Sequence, residues 1–206
     1  MTIARFLRVV TFSPSGLESP VDAVLREAIM PGLLARDDIV DAWIGRQGSP
    51  SERTRVLAST WTADPGPDPS DLRALSDSVL GADPPIVDSV DHLELAVHAR
   101  FERSEPARVL RVFRGIVRSG ELDAYVAEAR RGMAADAEVN DGLIAFALGT
   151  EGADTFLTVS AWTGWSAIEA ATGGNTRQPI ATRNSARLAG FRIVHYEILP
   201  ETPTRR

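Results

Sequence analysis

The chain contains neither cysteine nor lysine. Without thiols there is no disulfide, no thiolate nucleophile and no cysteine-ligated metal cluster. Without lysine there is no Schiff base, no lysine general base and no P-loop lysine to reach a nucleotide phosphate. All 22 basic residues are arginine, the bias that a GC-rich genome such as an actinobacterium's produces. Histidine is scarce, at 3 residues, and no His, Asp and Glu fall at metal-ligand spacing. The glycines of GTEG and TGGN lack the strand-GxGxxG-helix context of a dinucleotide fold. No metal, no NAD and no other cofactor is expected.

Charge and hydropathy narrow the class further. The net charge is −6 and the 28 acidic residues are spread along the chain, so no basic stripe offers itself to nucleic acid. No run approaches the roughly 20 apolar residues of a membrane span. The N-terminal MTIARFLRVVTFSPSG is interrupted by Arg5 and Arg8, and no small-residue cleavage pattern follows it. A soluble cytoplasmic protein without a membrane partner is expected. With 206 residues and 44% hydrophobic content, the chain can build one large core or two small ones.

The chain repeats itself. Leu7-Arg8-Val9 reappears as Leu110-Arg111-Val112 at an offset of 103, each within a strand-like run. Each strand is followed by a glycine-containing turn and a helical pattern: Val21, Val24, Leu25, Ala28 and Ile29 in the first copy, Leu122, Tyr125, Val126 and Ala129 in the second. Pro31 and Gly32 read as the end of the first of these helices. Next come Ile39–Gly45 and Leu143–Gly149, each an apolar run stopped by glycine. The following strands, RVLASTWT and FLTVSAWT, place Trp61 against Trp162 at an offset of 101. The copies diverge after this, where the first carries a Pro/Asp-rich insert, ADPGPDPSD, before a helix at Leu72-Arg-Ala-Leu. They converge in a last strand, with His98 against His195 at an offset of 97.

Each copy reads strand, helix, strand, strand, helix, strand, the order of a ferredoxin-like split βαβ unit. One such sheet has helices on a single face, and a second sheet packed on the other would bury what remains. The expectation is an α+β protein of tandem ferredoxin-like βαββαβ repeats, residues 1–104 and 105–206, packed sheet to sheet as a pseudo-dimer within one chain. Further association into a homodimer stays open.

The second copy carries RVFRGIV, GLIAFALG, FLTVSAWTGWSAIEAATG and a terminal IVHYEIL. In these features it resembles the antibiotic biosynthesis monooxygenases, a family of dimeric α/β-barrel proteins. That resemblance implies a small-molecule-binding barrel, with cofactor-independent monooxygenation of an aromatic polyketide-like substrate as the candidate chemistry. A non-catalytic ligand-binding or interaction protein of the same fold is the alternative, and a haem-binding doubled barrel with a proximal histidine is a third. The haem-degrading branch of the family resembles an Asn–Trp–His pattern, and the matching positions here are Phe113, Ala171 and Ala181. None of these residues matches.

Cofactor-free oxygenation needs a pocket that stabilises a substrate carbanion, admits oxygen and excludes bulk water. Strand alternation nominates residues for it. Arg114 shares a face with Leu110, Val112 and Ile116, and is a candidate partner for a carboxylate or enolate, or a paired structural arginine. Thr158, Ser160 and Trp162 share another face, suited either to a small-molecule cleft or to a companion sheet. His195 is a candidate general base, although its repetition at His98 equally suits symmetric packing. Trp165 and Asn175 have no counterpart in the first copy and join the candidate substrate-binding set for that reason. The catalytic candidates are therefore His195 and Arg114, with Trp162, Trp165, Ser160, Thr158 and Asn175 binding a small aromatic molecule in a cleft of the second copy.

Overall fold

The computed structural model describes residues 4–14, 19–48, 54–64, 87–103, 105–180 and 183–199. The helix expected at Leu72-Arg-Ala-Leu, and all but the first two residues of the ADPGPDPSD insert, lie outside these. The chain divides into two compact units, Met1–Glu94 with Tyr196–Arg206, and Leu95–His195.

The first unit holds strands β1 (Phe6–Pro14), β2 (Ile39–Gln47) and β3 (Arg55–Trp61). Between β1 and β2 lie α1 (Ser19–Val24), a π-helical turn (Leu25–Ile29) and α2 (Met30–Leu34). β3 is central and antiparallel to both neighbours, with Phe6 of β1 and Ile39 of β2 both opposite Trp61. The outer edge of β2 pairs with the end of β8 (Leu188–Ile198), from Gly45 opposite Ile198 to Gln47 opposite Tyr196.

Pro31 and Gly32 do not end the first helix; it runs on to Leu34. The reason is the π turn. The Met30 N–H donates to the Leu25 carbonyl five residues back, and Pro31 then occupies the first turn of a new helical segment, where its missing N–H costs nothing.

The second unit repeats the plan with β5 (Val109–Val117), α3 (Leu122–Val139), β6 (Leu143–Glu151), β7 (Thr155–Trp162) and α4 (Trp165–Thr172). A short 3-10 turn, Arg183–Arg187, leads into β8. β7 is central, with Val109 of β5 and Leu143 of β6 both opposite Trp162. The register shifts one step beyond that tryptophan in both units, between Ile39 and Asp41 and between Leu143 and Ala145. The end of β4 (Val87–Glu102) pairs along β6, and the beginning of β8 lies beside β5. This is a tandem ferredoxin-like α+β architecture, as the sequence repeat predicts.

The glycine that stops each apolar run has a structural reason. A Cβ on Gly45 would lie 2.6 Å from the Tyr196 Cβ, and one on Gly149 would lie 2.5 Å from the Leu95 Cβ. Both positions need the bare backbone so that the next strand can approach. α4 ends where Gly173 enters the left-handed region at φ 66°, and the Gly174 N–H closes the turn on the Glu169 carbonyl. Among the described residues no helix is long and apolar enough to cross a membrane.

Candidate functional site

The face of β5 and β7 that meets α3 is built from cross-strand pairs, Arg111 with Ser160 and Phe113 with Thr158, and ends at Trp162. Period-two alternation puts these residues together on one side of the sheet. Above them, α3 presents Tyr125, Ala129, Gly132, Met133 and Asp136, which follow the three- and four-residue spacing of a single helix face. Ala129 and Gly132 add little volume at mid-helix, and a cavity of about 500 Å³ remains between helix and sheet. In the first unit, Val21, Leu25, Met30 and Leu33 pack directly with Val10, Phe12 and Trp61 in one hydrophobic core. The second unit packs Tyr125 and Val126 of α3 with Phe113, Val117, Leu148 and Phe156, and Trp162 with Val109, Leu143 and Ile168, and leaves this cavity beside them.

The cavity wall is mostly apolar and aromatic, with Phe113, Tyr125, Phe146, Met133, Leu143 and Ile180 among its residues. Its floor carries a buried cation. Arg111 is 3% exposed, one of its terminal nitrogens donates to the Gln178 carbonyl at 2.6 Å, and its guanidinium lies 5.6 Å from the Phe113 ring centre. The Arg111 Nε is buried without a hydrogen-bond partner, and no carboxylate among the described residues forms an ion pair with this side chain. Burial pulls its pKa down to about 10, so the group still carries its charge at neutral pH.

Tyr125 lies near enough to Arg111 for each to influence the other's ionisation, and burial pushes its hydroxyl well above the ordinary tyrosine range. It is therefore a proton-bearing hydrogen-bond donor at neutral pH. Its ring is held against Phe156, with centroids 4.2 Å apart, and Phe156 meets Phe113 edge-on at 5.1 Å. The Asp136 carboxyl, further along α3, is raised above the usual carboxylate value by burial alone. Glu128 is held by Arg187 at 3.5 Å.

Three residues named from the sequence, Thr158, Ser160 and Trp162, line this cavity. Trp162 is fully buried and donates its indole N–H to the Ser160 hydroxyl at 2.9 Å. The other four candidates are placed elsewhere. Arg114 is exposed on the opposite face of β5, because its position is odd-numbered steps away from Arg111 and Phe113 in the alternation. Trp165, 39% exposed, packs its ring on His195 with centroids 5.1 Å apart. Asn175 is exposed in the turn after α4, where its Oδ1 accepts the Arg177 backbone N–H.

His195 does not line the cavity. Its Nε2 is buried without a partner, and burial, followed by the positive charges of Arg111 and Arg177, lowers its pKa to about 4. It is a neutral imidazole at physiological pH. The His98 side chain lies outside what is described. Among the described residues no group of three or more His, Cys, Asp or Glu is placed to hold a metal ion.

Sequence reasoning passed over Arg111, Tyr125 and Asp136. The signal for Arg111 was its place opposite Ser160, between Leu110 and Val112. Its repetition at Arg8 masked that signal, since Arg8 is also buried and lies 5.6 Å from the centre of the Trp61 ring.

No family model matches the sequence, and no curated protein does. Solved structures share the fold along almost the whole chain. A candidate monooxygenase from Lactobacillus acidophilus superposes with a TM-score of 0.73 at 8% identity, covering 98% of this chain and 96% of that one. An anthrone oxidase-like protein gives 0.60 at 15% identity over 98% and 93%. A ferredoxin-fold protein from Listeria monocytogenes related to antibiotic biosynthesis monooxygenases gives 0.56 at 12% identity over 96% of each chain. Chlorite dismutases align over a similar span. At these identities the likeness establishes a common fold, and a fold of this kind hosts several chemistries.

Proposed function

We propose that the second-half cavity binds a flat aromatic molecule bearing an acidic oxygen, and that its chemistry is cofactor-independent oxygenation of a polyketide-like ring. The observation that carries this reading is a cavity of about 500 Å³ with aromatic walls and a buried arginine that no carboxylate of the described residues neutralises. Burying a cation without a counter-charge is costly. A ligand oxyanion supplies the missing charge, and the Tyr125 and Thr158 hydroxyls lie in the same wall to complete its hydrogen bonding. The resemblance to an anthrone oxidase-like protein and to candidate monooxygenases supports the same choice of substrate class.

For an anthrone-type ring, removal of one methylene proton gives an enolate whose negative oxygen rests on Arg111. The ring carbon then bonds to dioxygen. Loss of the second hydrogen from that carbon with cleavage of the O–O bond leaves a carbonyl and water, so CH2 and O2 become C=O and H2O. Pre-organised donors at the developing oxyanion lower the barrier to the first step.

The test is oxygen uptake with dihydroxyanthrone, together with quenching of tryptophan fluorescence by the product analogue dihydroxyanthraquinone. Uptake above the uncatalysed background together with saturable quenching is expected. Saturable binding with no uptake would leave the non-catalytic ligand-binding reading in its place. That second reading draws on the Trp162–Ser160 corner, which the first unit shares.

A further inference from the structure

We propose that Gly132 is the specificity-determining residue of this cavity: its missing side chain leaves room between α3 and the sheet for a flat ligand of about three fused rings. The inference rests on the reading above and sets the size of the ring system that the reading takes as substrate. Gly132 is the one glycine of α3, in the helix interior between Arg131 and Met133. Glycine weakens a helix at such a position, because its backbone loses more freedom on folding than that of any other residue. Something must offset that loss.

The two structural reasons that retain glycine elsewhere in the chain do not apply. Gly120, Gly152, Gly173 and Gly174 adopt positive φ, and Gly132 is not one of them. A Cβ on Gly45, Gly115, Gly142 or Gly149 would come within 2.6 Å of a neighbouring side chain, whereas a Cβ on Gly132 meets no described atom within 4 Å. What lies beside Gly132 is the cavity, which it lines together with Ala129, one turn earlier, and Asp136, one turn later. The sheet contributes Phe113, Phe146 and Thr158 to the same lining. Arg111 also lines it, 3% exposed and with its Nε unpartnered, which makes the hollow a ligand site rather than a packing fault. An apolar cavity of about 150 Å³ holds a single benzene ring. One of about 500 Å³ accommodates roughly three.

The experiment compares wild type with Gly132→Ala and Gly132→Leu, titrating each with dihydroxyanthraquinone, which has three fused rings, and with hydroxyacetophenone, which keeps a hydroxyl and a carbonyl on one ring. Gly132→Leu places a branched aliphatic group in the hollow and should lower the quinone affinity by about 10-fold or more. Its affinity for the one-ring compound should stay within about threefold of wild type, because the remaining volume still exceeds what one ring needs. Gly132→Ala should lose a smaller part of the quinone affinity and unfold at a higher temperature than wild type, since alanine strengthens the helix where no atom opposes it. A well-folded Gly132→Leu that binds the quinone like wild type, or loses both compounds equally, would overturn the assignment while leaving the cavity's function intact. So would a Gly132→Ala that unfolds at a lower temperature, since the glycine would then serve the fold. A wild type that binds neither compound would overturn both readings.

Discussion

Trp162 donates its indole N–H to the hydroxyl of Ser160, two residues earlier on β7, at 2.9 Å, and both side chains are buried. Trp61 makes the same bond to Ser59 on β3, also at 2.9 Å. In a strand, residues i and i+2 share a face, so a serine placed there satisfies the indole without help from another element. The corner belongs to the frame of both units, and only its surroundings differ. Trp61 packs in the first unit's core with the Arg36 guanidinium 4.8 Å from its ring centre, and Trp162 packs with Val109, Leu143 and Ile168 and also borders the cavity.

Ser59→Ala and Ser160→Ala should therefore destabilise the protein by similar amounts, about 1–3 kcal/mol, because each leaves a buried indole N–H unsatisfied. Urea unfolding monitored by tryptophan fluorescence measures both. Only Ser160→Ala should also weaken quinone binding, since the Ser160 hydroxyl steadies the Arg111 carbonyl at 3.3 Å as well. A quinone affinity equally reduced by Ser59→Ala would locate the ligand elsewhere.

Arg111→Met should lower quinone affinity by about 10- to 100-fold, the value of a buried charge-assisted hydrogen bond at 1.5–3 kcal/mol. The fold should not suffer in proportion, because methionine fills the space and removes a buried cation that no described carboxylate pairs. Arg114→Ala, on the exposed face of the same strand, is the control and should bind normally. If Arg114→Ala abolished binding and Arg111→Met did not, the cavity would not be the ligand site.

The tandem architecture was legible because a repeat reports on itself: LRV, the strand-final tryptophan and the run-stopping glycine each recur, and each proves to be a fixed point of strand register. The cavity was less legible for the same reason. Repetition marks what both copies need, whereas the hollow depends on Ala129 and Gly132 standing where larger side chains would fill it, and small residues on a helix leave no motif. Alternation correctly grouped Thr158, Ser160 and Trp162, but it could not say which face of β5 the helix covers. Arg114 drew attention as a charge among apolar neighbours, while Arg111 was the one that became buried.

The pH dependence of stability should carry a His195 component. Its native pKa is about 4 and its unfolded value about 6.5, so between these the unfolded chain binds the extra proton. Stability attributable to this group is complete above about pH 6.5 and is lost as pH falls toward 4. After allowance for partial exposure to solvent, the effect is about 1–2 kcal/mol. His195→Gln should flatten that part of the curve, and Arg111→Met should shift it upward in pH by removing one of the charges that hold His195 neutral. An unchanged curve in His195→Gln would mean that the imidazole is not desolvated in the native protein.

Asp136 makes the opposite linkage prediction. Its native pKa lies above the ordinary carboxylate value of 3.8, so in the interval between them the native protein binds the extra proton and stability falls as pH rises. Asp136→Asn removes that cost, and its unfolding temperature should exceed the wild type's at pH 7 and converge with it in acid. A carboxylate retained for structure would behave otherwise, since losing its partners would lower the unfolding temperature. A variant whose unfolding temperature exceeds the wild type's at pH 7 would show that burial of this charge is a net cost to the fold. Asp136→Asn with a lower unfolding temperature at pH 7 would mean that the carboxylate is stabilised, not strained, by its place in the native protein.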